Sequence, residues 1–113
     1  MRCRVEQHGG VTVVHLAGRV TIGQDLDQFR EAFEESLDDG HHRFVVDLDE
    51  VSYVDSATLG EIIACRRRAR AVGGALVLTR ARGKVRDLLE LTRIGELVEI
   101  HATIDGAVAS LSS

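Results

Sequence analysis

Hydrophobic residues follow two rhythms along this chain, a period of two in short runs and a period near 3.6 between them, and their alternation predicts the order of elements. Arg2 to Gln7 and Val11 to Leu16 read as short strands joined at His8-Gly9-Gly10, where Gly-Gly supplies the positive φ angles of a tight hairpin turn. Gly18 to Gly23 reads as a loop leading into a helix. In that helix Leu26, Phe29, Phe33 and Leu37 share one face, Glu31, Glu34, Glu35 and Asp38 keep the rest wet, and Asp39-Gly40 supplies the stop. Phe44 to Leu48 is a β-rich run too brief for a stable helix, and Val51, Tyr53 and Val54 continue it in extended form. Asp55-Ser56 reads as a helix start, and a helix over residues 57–72 closes at Gly73-Gly74. Ala75 to Thr79 is the next buried strand. Gly83 to Leu91 supports a helix with Val85, Leu88 and Leu89 on one side. Leu97 to Ile100 reads as a last short strand, and Ile104, Ala107, Val108 and Leu111 recur at helical spacing.

Strands that alternate with helices need crossover connections, so the pattern implies one α/β domain whose sheet is largely parallel after the opening hairpin. The length of 113 residues fits a single domain, and no repeat or linker divides it. With 44% hydrophobic and 28% charged residues, the composition is that of an ordinary globular protein. A net charge of −4 disfavours a duplex-DNA binder, whose affinity rests on surplus Lys and Arg. No run approaches the roughly 20 apolar residues of a membrane span, and Met1 to Glu6 lacks the apolar stretch of a secretory signal. The expected location is the cytoplasm, without direct membrane or nucleic-acid contact. Cys3 and Cys65 form no CxxC pair and read as packing thiols, and no two histidines take the spacing of a helical metal site. No metal or cofactor is expected.

The most informative stretch runs from Val45 to Gly60, where a buried strand delivers a small hydroxyl residue to the start of a helix. The first turn of a helix carries backbone N–H groups without partners and a partial positive charge. Two readings of Ser56 follow. Its oxygen can cap the helix, a contribution of about 1 kcal/mol. Alternatively it can carry a phosphate, bringing about −1.5 to −2 charge to those donors. Asp55 beside it would repel that phosphate, which suits a role in partner recognition or metal-assisted transfer. Ala57, Gly60 and Ala64 share a helix face, and a Gly inside a helix implies close packing against the sheet beneath or a partner above. The sheet is the more economical choice.

These residues resemble the STAS family, in particular the anti-sigma factor antagonists of bacterial partner-switching systems. Asp55-Ser56-Ala57-Thr58-Leu59-Gly60 is similar to the family pattern Asp-Ser-(Ser/Thr)-Gly-Leu-Gly at Asp55, Ser56, Leu59 and Gly60. Leu16-Ala17-Gly18-Arg19-Val20 resembles its Leu-x-Gly-x-Leu, Gly73 to Leu78 its Gly-Gly-x-Leu-x-Leu, and Val85 to Thr92 its Val-x-x-(Leu/Ile)-(Leu/Phe) helix. The resemblance covers nearly the whole chain. It implies a STAS-like α/β fold over residues 1–113, a mixed, mostly parallel sheet of about five strands with helices mainly on one face. It also implies that Ser56 is phosphorylated by an anti-sigma factor that is a serine kinase of the GHKL ATPase class, and restored by a PP2C-type phosphatase. The unphosphorylated form would bind the kinase and so release a sigma factor. Asp55 would orient the acceptor or recognise the kinase-bound metal, and Ala57, Thr58, Leu59 and Gly60 would lie at the contact. Two positions depart from the pattern. Ala57 removes an alternative acceptor, and Thr58 replaces a Gly with a residue whose bulk narrows the approach or whose hydroxyl offers a second acceptor.

Two other classes compete. A STAS module that is never phosphorylated would serve as a scaffold or sensor subunit. An enzyme is disfavoured, because there is no G-x-S-x-G elbow, phosphate loop or paired His. Arg66-Arg67-Arg68 and Arg70 complement a helix C-terminus and cover apolar surface with their stems. A sharper expectation joins Arg66, Arg67, Arg68 and Arg70 with Arg80, Arg82 and Lys84 in one basic rim that meets an acidic patch on the kinase. Weak homodimerisation stays open.

Overall fold

The predicted hairpin forms from β1 (Arg2–His8) and β2 (Val11–Val20), paired antiparallel without interruption from Arg2↔Ala17 to His8↔Val11 in the computed structural model, which describes residues 1–112. Four elements follow in alternation: α1 (Gln24–Asp38), β3 (Arg43–Val54), α2 (Ser56–Ala71) and β4 (Ala75–Thr79). The chain continues through α3 (Gly83–Leu91), a 3-10 turn (Ile94–Glu96), β5 (Ile100–His101) and α4 (Ile104–Leu111). The five strands lie in the spatial order β1-β2-β3-β4-β5, and every pair after the hairpin is parallel. This is the mixed, mostly parallel α/β sheet that the alternation of periods implies.

Period-two alternation in the central strands sorts their side chains between the two faces. Val14, Leu16, Phe44, Val46, Leu48, Leu76 and Leu78 meet Leu26, Phe29 and Phe33 of α1, Leu59, Ile62 and Cys65 of α2, and Val85 and Leu89 of α3 in the main core. Phe33 and Phe44 pack with ring centroids 4.6 Å apart. On the other face, Val11, Val13, Val45 and Val77 meet Ala107 of α4 in a smaller core. Three helices on one face and one on the other fit the expectation of helices mainly on one face. Both cysteines are free. Cys65 is wholly buried, and burial pushes its thiol up to about 12.

Glycine sets two of the corners. Gly40 takes φ +92 just beyond α1, where the turn is closed by a hydrogen bond from the His41 N–H to the Ser36 carbonyl. Gly74 lies so near His42 that a Cβ there would fall 1.7 Å from the His42 carbonyl oxygen.

Two elements differ from the sequence expectation. β2 runs on to Val20, absorbing the first part of the expected loop through register irregularities between His15 and Ala17 and between Gly18 and Arg19. Gly18 at φ +88 makes such a bulge possible. The last strand is shorter and later than Leu97 to Ile100. Within that run only Val98 is buried, and the ladder to β4 is formed at Ile100 and His101, with the Glu99 carbonyl accepting from the Leu78 N–H.

The face that carries α4 also holds a polar cluster. Asp47, nearly buried, accepts two hydrogen bonds from Arg80, at 3.0 Å from Nε and 2.7 Å from Nη2. It also lies 2.6 Å from Nδ1 of His15 and accepts from the Asp49 N–H. Burial alone would raise the Asp47 carboxyl. The hydrogen bonds from Arg80 and His15 outweigh burial and hold it below the ordinary aspartate range. They also fix Arg80, whose backbone sits in the left-handed region at φ 56.

Because the folded pKa of Asp47 is depressed, its stabilisation is fully present above the unfolded value, about 3.9, and is lost as pH falls through the folded value. Asp47→Asn is expected to cost about 2–3 kcal/mol at neutral pH by urea denaturation. The gap between wild type and variant should close as the melts are taken below pH 4; a gap of constant size would show that the ion pair is not its source.

Candidate functional site

The corner between β3 and α2 is tied by one carboxylate. Asp55, the N-cap of α2, has extended backbone at φ −102 and ψ 176. Its Oδ1 accepts from the Thr58 N–H at 2.9 Å, and its Oδ2 accepts from the Ile22 N–H, in the loop between β2 and α1, at 2.8 Å. The Ile22 N–H first, and then the Thr58 backbone and hydroxyl donors, hold the Asp55 carboxyl below the ordinary aspartate range.

With Asp55 as the cap, the expectation that Ser56 caps the helix is corrected. Ser56 is instead the first helical residue. It is exposed, and among the described residues its hydroxyl makes no hydrogen bond within the chain. The backbone N–H groups of the first turn lie beside it.

Thr58 and Leu59 do not lie on the outer surface. Thr58 is 1% exposed, and its hydroxyl lies 2.8 Å from both the Val20 carbonyl oxygen and Asp55 Oδ1. A hydroxyl has one hydrogen to donate, so it serves these acceptors in turn. The residue is thus neither a second acceptor nor bulk across the approach to Ser56; it locks the corner from inside. Leu59 belongs to the main core. Gly60 reverses a further expectation. A Cβ there would meet nothing within 4 Å, so the Ala57-Gly60-Ala64 face does not lie against the sheet at Gly60. Gly60 looks outward.

The basic rim divides in two. At 1.5 Å per residue, Arg67 and Arg68 stand about 17 Å along α2 from Ser56. α2 runs back against the parallel strands, so its arginines reach the N-terminal end of β4, where Arg66 and Arg70 line a hollow with Ala75 to Val77. Arg68 is paired with Glu34 of α1 at 3.0 Å. Arg80, Arg82 and Lys84 follow the C-terminal end of β4, at the Ser56 end of the sheet. One of them reaches the corner itself: Lys84 lines a hollow of about 350 Å³ with Tyr53, Val54, Asp55, Ser56 and Leu88.

Sequence reasoning missed the apolar part of this surface. Ile22 is 72% exposed and is held to the corner through its own N–H. Tyr53 is 39% exposed, and the Arg19 guanidinium stacks on its ring at 4.4 Å. The available signal was parity. Along β3, Val54 is buried in the main core, so its immediate neighbour Tyr53 points to the opposite side.

Residues 3–99 match the family model described as Mlab, STAS domain. The chain belongs to the STAS family. It is of the anti-sigma factor antagonist type. A candidate antagonist of this type from Thermotoga maritima is 32% identical over 76 residues, covering 67% of each chain. A crystal structure of a candidate antagonist from the same organism superimposes with a TM-score of 0.89 at 24% identity, covering 98% of this chain and 95% of that one. The anti-sigma factor antagonist SpoIIAA of Bacillus, in its unphosphorylated form, superimposes at 0.77 with 18% identity and 99% coverage of both chains, and its phosphorylated form at 0.74 with 19% identity over 96% and 98%. Among the described residues of this STAS domain, no helix is long and apolar enough to cross a membrane.

Two substitutions separate the functions of the corner. Asp55→Ala removes the cap and the tie to Ile22 and is expected to cost about 1–2 kcal/mol in urea denaturation. That loss should shrink in acid, because the depressed pKa of Asp55 means its contribution fades as pH falls through the folded value. Gly60→Ala should stabilise the isolated domain by about 0.5–1 kcal/mol, since the new methyl meets open space on a helix. Destabilisation by Gly60→Ala would show that the face is packed after all.

Proposed function

We propose that this STAS domain is a phosphorylation-gated anti-sigma factor antagonist of the cytoplasm. Unphosphorylated, it binds an anti-sigma factor that is a serine kinase of the GHKL ATPase class and so releases a sigma factor. Phosphorylated at Ser56, it lets the kinase go, and a PP2C-type phosphatase resets it. In the kinase step the γ-phosphoryl group of ATP passes to Ser56 Oγ, the hydroxyl proton leaves to a base on the kinase, and ADP is released. The observation that carries this reading is that Asp55 has taken over the cap and left the Ser56 hydroxyl exposed and uncommitted at a helix N-terminus. The existence of SpoIIAA in phosphorylated and unphosphorylated forms supports it as precedent.

The contact surface follows from the same corner. Ile22, Tyr53 and partly buried Leu88 give it apolar area, Lys84 and Arg19 give it positive charge, and outward-facing Gly60 with Ala57 permits close approach of a partner backbone. A phosphate at Ser56 would sit amid these residues and oppose any acidic or apolar surface docked there. The whole chain acts as one domain that is substrate and switch, with no chemistry of its own.

Phosphate-affinity electrophoresis of the chain with its cognate kinase and ATP should show one shifted band, absent in Ser56→Ala. Ser56→Asp should bind the kinase more weakly than wild type. No shift with an active kinase would overturn the switch and leave a scaffold or sensor subunit in its place.

Association kinetics test the surface separately. At low ionic strength, Lys84→Glu should slow association with the kinase about tenfold. Reversal of both Arg67 and Arg68, at the far end of α2, should leave the rate nearly unchanged. The opposite ranking would move the contact to the other end of the helix.

A further inference from the structure

Among the described residues, β1 forms one edge of the sheet and pairs with β2 alone, so its outer row of backbone N–H and C=O groups has no strand partner there. The opposite edge, β5, has only two residues and offers little to pair with. β1 has seven residues, no proline and no break in register, and Val5 at its middle is 42% exposed. Edges of this kind are normally blunted by charge, and β1 carries Arg2, Arg4 and Glu6 with His8 on one face. In the single chain Arg4 and Glu6 lie together on that exposed face, with Arg4 Nη1 2.6 Å from Glu6 Oε2.

The order of those charges is self-complementary. Two copies meeting edge to edge and antiparallel are related by a two-fold axis normal to the sheet, so facing residues lie on the same side and their numbers have a constant, even sum. Centred on Val5, this places Arg4 opposite Glu6 of the second copy and Glu6 opposite its Arg4. Arg2 then faces His8, Cys3 faces Gln7, and Val5 faces Val5. Moving the centre by one residue in either direction sets Arg4 against Arg4 or Glu6 against Glu6, which is unfavourable for directly facing like charges. Of these three registers only the one centred on Val5 sets Arg4 and Glu6 against each other twice, while Arg2 faces His8, which in the single chain is paired with Glu6.

We propose that β1 is a self-recognition edge through which two copies of this chain join in the antiparallel register centred on Val5, continuing the sheet from one copy into the next. The charges that guard the edge against other strands are those that admit a second copy. The contact uses neither face of the sheet and lies two strands away from the strand that leads into Ser56, so it is independent of the phosphorylation reading.

Sedimentation equilibrium of the full chain at low ionic strength, over a wide concentration series, tests this directly. Wild type should show a reversible monomer–dimer equilibrium that weakens as salt screens the pairs. Arg4→Glu and Glu6→Arg should each weaken it about tenfold or more, because each sets like charges opposite one another. The double variant carrying both changes should regain wild-type affinity. An equimolar mixture of the two single variants should form a heterodimer, which also shows that neither single variant is misfolded. Wild type that stays monomeric throughout overturns the proposal, and so does a dimer whose affinity is indifferent to both single changes.

Discussion

One carboxylate holds the working corner of this domain together. Asp55 directs one oxygen to the first turn of α2 and the other to the loop that enters α1, so two helices and the end of β3 are fixed by a single side chain. Thr58 reinforces the tie from beneath by reaching both Asp55 and the last residue of β2. The cost of burying a hydroxyl is offset because both of its neighbours accept hydrogen bonds. The exposure of Ser56 is a consequence of this arrangement. A helix start needs one capping oxygen, and with Asp55 supplying it the next residue has a hydroxyl with no structural duty.

The order of elements was legible in the sequence because burial in this fold is strongly periodic. Leu26, Phe29 and Phe33 mark the inner face of α1 as plainly as Phe44, Val46 and Leu48 mark that of β3. What escaped was set by single backbone positions. Gly18 allows a bulge that prolongs β2, and the pattern alone could not separate that from the beginning of a loop. Leu97 and Val98 form a β-like pair in sequence, yet only Val98 finds a core to enter.

The site was legible as a position but not as an arrangement. Spacing placed Asp55 and Ser56 at a helix start, and both are suitable caps, so propensity could not choose between them. The choice was made by the Ile22 N–H, thirty-three residues earlier, which only the folded chain brings to Asp55. Thr58 shows the same limit. At a position where the family pattern has Gly it reads as intrusive bulk, but in the fold it turns inward and finds two acceptors. The basic residues fall into two groups for a topological reason. A helix that returns antiparallel to the sheet puts its C-terminal arginines at the opposite end from its first turn, so charges close in sequence to Ser56 stand far from it, whereas Lys84, one crossover later, lines the same hollow.

Magnitudes clarify what a phosphate at Ser56 would do. A dianion beside the Asp55 carboxylate, at about 6 Å in water, is opposed by on the order of 1–1.5 kcal/mol. The N-terminus of α2 returns about 0.3–1 kcal/mol, and up to about 2 in favourable geometry. These contributions nearly cancel, so the modification would leave the stability of the domain close to unchanged. Against a docked partner there is no such cancellation. The surface around Ser56 is partly apolar through Ile22 and Tyr53, and a dianion buried against it would have to shed its water without a matched cation from the partner. A fold indifferent to the charge, beside a contact surface that is not, is the physical requirement for a switch that acts on binding without unfolding the protein that carries it.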